Sequence, residues 1–203
     1  MKQQCAMPNR GVFWGQRLLL LLLVSFFLCS PGQAATKTKN YQGNGITFDY
    51  PAKYALSEQS KKSSEKVSLK NGNNTIDIEI NNNVLVDGFD DIVIQNLGKN
   101  FKAKGFGISG EKKESKQIPL QVKGESEPVQ VDAVKFSNTI AVPQGESHIN
   151  IEQTMFFFSY GDHGYTVNYM ATNGKYSELV TVLSSFTFDE KEVAEDAAKA
   201  SAY

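Results

Sequence analysis

The two histidines, His148 and His163, are the only imidazoles this 203-residue chain has for acid–base or metal chemistry. Asp162 precedes His163 in a Gly-flanked turn, and an aspartate beside a histidine can orient it as a base or share a metal with it. Such a site needs a further ligand or a nucleophile, and the neighbouring sequence offers neither. We therefore expect a solvated turn at Asp162-His163 and an exposed His148 at the start of a strand.

Carboxylates occur at two places where they could bind calcium or act as a catalytic pair. Near the Asn run 81–83 lie three aspartates: Asp87, Asp90 and Asp91. Their spacing departs from that of an EF-hand loop, and capping and dipole effects at the start of a helix explain their positions better. Asp49 and Glu79 could form an acid–base pair, but strand alternation predicts that both face solvent.

Motifs for covalent or nucleotide chemistry are missing from the sequence, which has no Gly-x-Ser-x-Gly elbow, no P-loop and no Gly-x-Gly-x-x-Gly. We therefore predict no catalytic residue, no cofactor and no metal. A metal-dependent hydrolase centred on Asp162 and His163 is the weakest functional alternative.

The first 34 residues have the three parts of a secretory signal peptide. Lys2, Arg10 and Arg17 occur without an acid, residues 18–28 form an apolar run, and small residues follow. The run is shorter than the about 20 apolar residues that span a bilayer. Cleavage between Ala34 and Ala35 would release an extracytoplasmic protein, in bacteria a periplasmic one that is not transmembrane after processing.

Two alternatives to cleavage are an uncleaved anchor helix and a lipoprotein attached at Cys29. Lipidation requires a small residue directly before the cysteine, and Leu28 stands there. Loss of residues 1–34 removes Cys5 and Cys29 and leaves 18 basic against 22 acidic residues, a net charge of −4. The remaining chain would have no disulfide and no thiol nucleophile, and its charge gives no reason to expect nucleic acid.

Alternating apolar residues predict strands along most of the chain. An Asn-Gly pair at 71–72 predicts a hairpin, a slip in the alternation at 133–134 indicates a bulge, and the mixed charges at 112–116 indicate a guarded edge. Strands are predicted at residues 46–50, 54–56, 67–69, 75–80, 108–116, 129–136, 148–160, 165–171 and 186–188. Polar composition predicts a flexible lead at 35–44, an exposed loop at 57–66 and a disordered tail at 189–203.

Two helices are predicted from apolar residues at three- and four-residue steps. The first starts after Asp87-Gly88 and ends at Gly105, a left-handed cap. Its apolar face comprises Phe89, Ile92, Val93, Ile94, Leu97 and Phe101. The second covers 175–185 and has the stripe Tyr176, Leu179, Val180 and Leu183.

Strands in blocks between two helices predict an α+β fold with a mainly antiparallel sheet. Residues 155–158 are apolar on both faces, which predicts a central strand covered on both sides, as in an α/β/α sandwich. We expect Phe157 or Phe158, whichever faces the terminal helix, to meet Leu179 and Leu183. Residues 45–188 would form this single domain.

Three motifs point to a known family. They are the opening at 45–51 followed by Tyr54, the single long helix after the strand at 76–80, and the terminal helix leading into Phe186-Thr187-Phe188. Through them residues 44–188 resemble the PsbP-like fold, which includes the PsbP subunits of photosystem II and bacterial exported DcrB-like proteins. The resemblance implies an α/β/α sandwich and a non-enzymatic role, and it transfers no functional residue.

Two functions from different classes fit these observations. The first is an exported binding or assembly accessory protein that acts by contact with an unknown protein partner, in the envelope or at a membrane complex, in a periplasm or lumen. The alternative is a carrier of a lipid or small hydrophobic molecule. Its gap between sheet and helix would be lined by Phe156, Phe158, Tyr165 and Tyr169.

Overall fold

The computed structural model describes residues 37–172 and 176–189, without the side chains of residues 176 and 177. The predicted signal peptide, its cleavage site at Ala34 and Ala35, both cysteines and the tail from residue 190 lie outside these ranges. The strands are β1 (Thr38–Gly43), β2 (Ile46–Pro51), β3 (Ala55–Lys61), β4 (Ser64–Asn71), β5 (Asn74–Asn81), β6 (Gly107–Val122), β7 (Val129–Gln144), β8 (Ser147–Tyr160), β9 (His163–Thr172) and β10 (Thr187–Phe188). The helices are α1 (Phe89–Ala103) and α2 (Tyr176–Ser184).

The strands form one mixed sheet in the order β1-β2-β10-β6-β7-β8-β9-β5-β4-β3. Every pairing is antiparallel except that of β10 with β6, which is parallel. Strands β6 to β9 follow one another as a meander, joined by residues 123–128 and by two two-residue turns. The predicted Asn-Gly hairpin joins β4 to β5 with Gly72 at φ 60°. Of the described helices, neither is long and apolar enough to cross a membrane.

The sheet curls so that its two end strands, β1 and β3, approach each other. The Tyr41 hydroxyl on β1 lies within hydrogen-bonding reach of the Glu58 carboxylate on β3. Inside the curl, alternate residues of β5 and β9 are buried, since successive side chains of a strand point to opposite faces. These residues are Ile76, Ile78, Ile80, Tyr165, Val167, Tyr169 and Ala171.

Strand β8 separates two buried clusters, as its apolar character on both faces predicted. Phe156 and Phe158 belong to the inner cluster, which also contains Leu179 of α2, with Leu183 packed against it. Phe157 and Met155 belong to a smaller outer cluster, on which α1 packs. The phenylalanine that shares its cluster with the terminal helix is therefore Phe158.

The predicted α/β/α sandwich is confirmed only as far as a mixed sheet with two helices. The helices have 15 and 9 residues against ten strands, and α1 has no fully buried residue. The apolar stripe of α2 also differs from the prediction, because Leu179 and Val182 are fully buried whereas Val180 is 46% exposed. The buried side of α2, Leu179 and Val182, continues into the buried Phe186 just after the helix.

The predicted flexible lead at 35–44 was wrong from residue 38 onward, where β1 pairs with β2 along its whole length. Asn44 and Gly45 both have positive φ, 53° and 70°, as the two central residues of a type I′ hairpin turn require. Tyr41 is buried and stacks on Phe48, with ring centroids 4.9 Å apart. Tyr41 thus anchors β1, whose other side chains are polar, to the core.

The predicted exposed loop at 57–66 instead forms a hairpin of β3 and β4 that turns at residues 62–63. Strand β3 is almost entirely exposed, so its side chains show no alternation from which a strand could be predicted. Its charged and polar side chains suit a strand at the end of a sheet.

The predicted bulge lies on a different strand. Strand β7 keeps its register with β8 through residues 133–134, whereas β6 shifts register between Ser109 and Lys112, where Gly110 has φ 65°. Strand β6 is a partly open edge, as its mixed charges predicted, because β10 pairs with it only at Gln121 and Val122.

Leu179→Ala is expected to lower the free energy of unfolding by about 2–5 kcal/mol, because it leaves a cavity in the inner cluster. The matched control is Val180→Ala on the exposed side of α2, which should change stability by no more than about 0.5 kcal/mol. Urea melts of both variants measure this. A Leu179 variant that melts like the wild type would mean that α2 is not docked on the sheet.

Burial raises the pKa of four tyrosines, Tyr54 and Tyr165 among them, and those of Tyr41 and Tyr169 reach about 12. Because these folded-state values exceed the unfolded value of about 10, tyrosine ionisation does not affect the free energy of unfolding below about pH 10. That free energy falls as the pH rises from about 10 to 12, where the unfolded chain ionises more readily than the folded one. Urea melts across this range, with phenolate absorbance, should show ionisation and unfolding together.

Tyr165→Phe should raise stability by about 1 kcal/mol at neutral pH and reduce the alkaline loss, since its buried hydroxyl has no hydrogen-bond partner in the described residues. Tyr41→Phe is the control. It should lower stability, because the Tyr41 hydroxyl accepts a 3.2 Å hydrogen bond from Asn44. Equal losses in both variants would contradict this expectation.

Candidate functional site

The segment 82–88, which joins β5 to α1, is fixed to the hairpin of β8 and β9. The Leu85 amide donates a 2.9 Å hydrogen bond to Ser159 Oγ, and Asn81 Nδ2 donates to the Gly164 carbonyl at 3.3 Å. The Leu85 side chain packs directly on Gly164, so a methyl group there would overlap it and would lie 2.9 Å from the Asn83 carbonyl oxygen. Gly164 therefore permits the close approach that holds this segment in place.

A cleft of about 650 Å³ lies between this segment, the start of α1 and strands β6 to β8. Its apolar lining is Leu85, Val86, Phe89, Val131, Ala133, Val134, Phe157 and Phe158. Its polar lining is Asp87, Asp90, Ser115, Lys116, Gln130, Asp132 and Ser159. The cleft thus combines an aromatic floor with several carboxylates.

Lys113 on β6 joins the first turn of α1 to the sheet. Its Nζ lies 2.6 Å from Asp90 Oδ2 and 2.7 Å from Asp91 Oδ1. Hydrogen bonds first to Asp90 and then to Asp91 raise the pKa of Lys113, which is exposed. The two aspartates sit at the helix start as predicted, and they are favoured there by the helix dipole.

The prediction that the aspartates cap the first helix was wrong. The residue before α1 is Gly88, in a left-handed conformation with φ 75°, and no side chain caps the helix. Asp87 is exposed at the cleft instead. At the C-terminal end of α1 the predicted glycine cap is confirmed. Gly105 has φ 75°, and the Phe106 amide donates a 3.0 Å hydrogen bond to the Phe101 carbonyl.

Exposed apolar side chains are frequent in the stretch of chain that borders this cleft. Among the described residues five large ones are exposed: Val84, Val86, Ile92, Val129 and Val180. Three of the five lie within nine residues, and Val86, which lines the cleft, is 67% exposed. We call residues 84–92 together with the cleft the cleft surface.

His163 is not part of a solvated turn, because it is 5% exposed and begins β9. The turn consists of Gly161 and Asp162, and His163 pairs with Tyr160 at the start of the hairpin. Asp162 and His148 are exposed, the latter as predicted. Within the described ranges no three His, Cys, Asp or Glu side chains are grouped closely enough to hold a metal ion.

The remaining carboxylate pair, Asp49 and Glu79, does not form a site. Asp49 is exposed and accepts a 2.9 Å hydrogen bond from Asn40, whereas Glu79 accepts one of 3.1 Å from Ser64. Each carboxylate is thus bound to the strand next to its own. Strands β2 and β5 are separated by several others in the sheet order.

The four aromatic residues expected to line a carrier gap pack in the core instead. Phe156, Phe158, Tyr165 and Tyr169 are each at most 4% exposed. Only Phe158 also lines the large cleft. This cleft is therefore lined mostly from the outer face of β8, whereas the expected gap was on the inner face.

Glu178 on α2 was not singled out from the sequence, yet it joins the terminal helix to the corner between β2 and β3. Its carboxylate accepts hydrogen bonds from Tyr54 and, at 2.5 Å, from Lys53. Burial first, and the bond to Glu178 second, raise the pKa of Tyr54. No local pattern could have indicated this contact, because its partners are more than 120 residues apart in the chain.

Comparison with known proteins identifies the fold through structure alone, since no family model and no curated protein matches the sequence. The solution structure of cyanobacterial PsbP (CyanoP) from Synechocystis sp. PCC 6803 matches with a TM-score of 0.50 and 12% identity, over 77% of this chain and 95% of that one. A Bacteroides thetaiotaomicron VPI-5482 structure has a TM-score of 0.42 and 9% identity, over 74% of this chain and 48% of that one. The chain therefore has a PsbP-like fold.

Proposed function

We propose that this protein is an exported accessory or assembly protein that works by protein–protein contact through the cleft surface. The observation that carries the proposal is the exposure of Val84, Val86 and Ile92 within nine residues of the chain segment that borders a 650 Å³ cleft, which Val86 lines. Single exposed apolar residues are ordinary, but a group of them next to a concave surface is typical of interaction sites. No catalytic role is proposed for His148 or His163.

The exposed valines cannot simply turn inward to be buried. Leu85, between them, occupies the space on Gly164, and its amide is held by Ser159. Lys113 fixes the following turn through Asp90 and Asp91. A partner would therefore meet a preformed apolar surface and would not have to order it, which lowers the entropic cost of binding.

The layered arrangement also supports a scaffold role. Helices α1 and α2 pack on clusters that lie on opposite faces of β8, and we propose that they are the outer layers of an incomplete α/β/α sandwich. The partly covered sheet then leaves surface for a partner to complete. The PsbP-like fold agrees with this proposal but does not identify a partner.

Carriage of a lipid or small hydrophobic molecule is the second candidate, because the cleft volume falls within the roughly 300–1,000 Å³ of small-molecule pockets. Seven of the sixteen lining residues are polar or charged, however, and Asp87, Asp90 and Asp132 are among them. Desolvating carboxylates against an acyl chain is costly. A protein surface can leave such groups at a hydrated rim.

Site-specific photo-cross-linking in the host cells tests the proposed contact. A photoreactive amino acid at position 86 or 92 should give an adduct of one defined mass, since both side chains project from the cleft surface. The matched control is position 180, which is also exposed but lies on α2. Adducts of equal yield at 180, or none at 86 and 92, would contradict the proposal.

Export is proposed from the leader sequence, and intact-mass measurement of host-purified protein tests it. The mature chain should begin at Ala35, because the small residues before it suit a signal peptidase. Fractionation should recover this species outside the cytoplasm. A chain that retains residues 1–34, or one with a diacylglycerol on Cys29, would overturn this expectation.

A further inference from the structure

We propose that the cleft surface receives from its partner an extended segment in which lysine or arginine side chains alternate with apolar ones. This inference rests on the proposed contact function and adds the chemistry of the partner. Shape comes first: the cleft is bounded on one side by the segment 82–88 and has strands β7 and β8 on the other. An extended chain occupies only about 5 Å of width beside a strand, so a single segment could lie along this cleft.

Apolar contacts would supply the affinity. The floor includes Phe157, against which Phe89 packs with ring centroids 6.4 Å apart and planes at 73°. Val86 and Val134 stand at the sides of the cleft. Apolar side chains of a bound segment would remove these surfaces from water, which is favourable by about 25 cal/mol per Å².

Charge selects the kind of segment. The cleft lining holds three carboxylates, those of Asp87, Asp90 and Asp132, and one ammonium group, that of Lys116. Lys113 is bound to Asp90 and also to Asp91, outside the lining. These four carboxylates and two ammonium groups leave a net charge of −2, which the positive end of α1 offsets by only about half a charge.

Two carboxylates are available to a ligand. Asp90 is already paired with Lys113, whereas Asp87 is exposed at the cleft. Asp132 accepts a long 3.4 Å hydrogen bond from the neutral amide of Gln117. A guanidinium or ammonium group between Asp87 and Asp132 would gain charge-assisted hydrogen bonds, and an acidic segment would be repelled.

Two defined peptides test the inference on the chain as purified from its host. One alternates valine and leucine with lysine and arginine, and the other has glutamate at every basic position. The basic peptide should bind saturably and at least about 10-fold more tightly, since like charges across an interface oppose binding. Amide NMR shifts should concentrate at Val86, Ser115 and Ser159, and binding should weaken as salt rises.

Asp87→Asn and Asp132→Asn should each weaken binding of the basic peptide about 3-fold, as expected for one partly screened charge pair. Glu146→Gln is the matched control. It removes one exposed carboxylate at the other end of the β7–β8 hairpin, so binding should not change. Equal losses in all three variants would mean that only net charge matters and would overturn the inference.

Equal affinity for the two peptides, or shifts away from the cleft, would also overturn it. So would shifts at the cleft that appear without peptide as protein concentration rises, because a second copy would then be the occupant. Absence of binding by either peptide while the cross-links at 86 and 92 persist would refute the basic–apolar chemistry alone. Loss of those cross-links as well would refute the contact function.

Discussion

The fold depends on the burial of both faces of β8. Phe157 and Phe158 are neighbours in the chain, so they point to opposite faces, and each lies in a cluster that contains one helix. A strand with apolar side chains on both faces cannot lie at a surface without exposing one of them. Both sides of β8 must therefore be covered: α1 lies over the outer side, and the curled sheet together with α2 covers the inner side.

The two helices cover β8 unequally, and the proposed contact surface lies beside the helix that covers it less. The inner cluster is large because the sheet curls around it, and α2 contributes the fully buried Leu179 and Val182. The outer cluster has only three buried residues, and α1 lies on it without a fully buried side chain. Apolar side chains consequently remain exposed beside α1, next to the cleft.

Close packing and ion pairs, together with the apolar contacts of α1, keep the outer surface in shape. The fit of Leu85 on Gly164 positions segment 82–88, and the ion pairs of Lys113 position the first turn of α1. Exposed ion pairs contribute little to stability, so the role of Lys113 is mainly orientation. The carboxylates that Lys113 does not engage, Asp87 and Asp132, give the cleft its charge.

The sequence by itself determined the existence of the long strands, although β6 and β7 extend to residues 122 and 144, beyond the predicted 116 and 136. It also determined the position of α1 and its glycine cap, the central place of β8 and the likeness to the PsbP-like fold. The strands, α1 and the place of β8 follow from period-two and helical patterns, which are local and strong. The likeness to the family rests on the short motifs at 45–51 and 186–188. The sequence did not determine β1 or β3, because end strands of a sheet bury one face or less and lack alternation. Tertiary structure alone decided the burial of His163, the curl of the sheet, the contact of Glu178 with Tyr54, and the cleft beside α1. Each of these depends on contacts between residues that are far apart in the chain, and a local sequence pattern contains no information about such contacts.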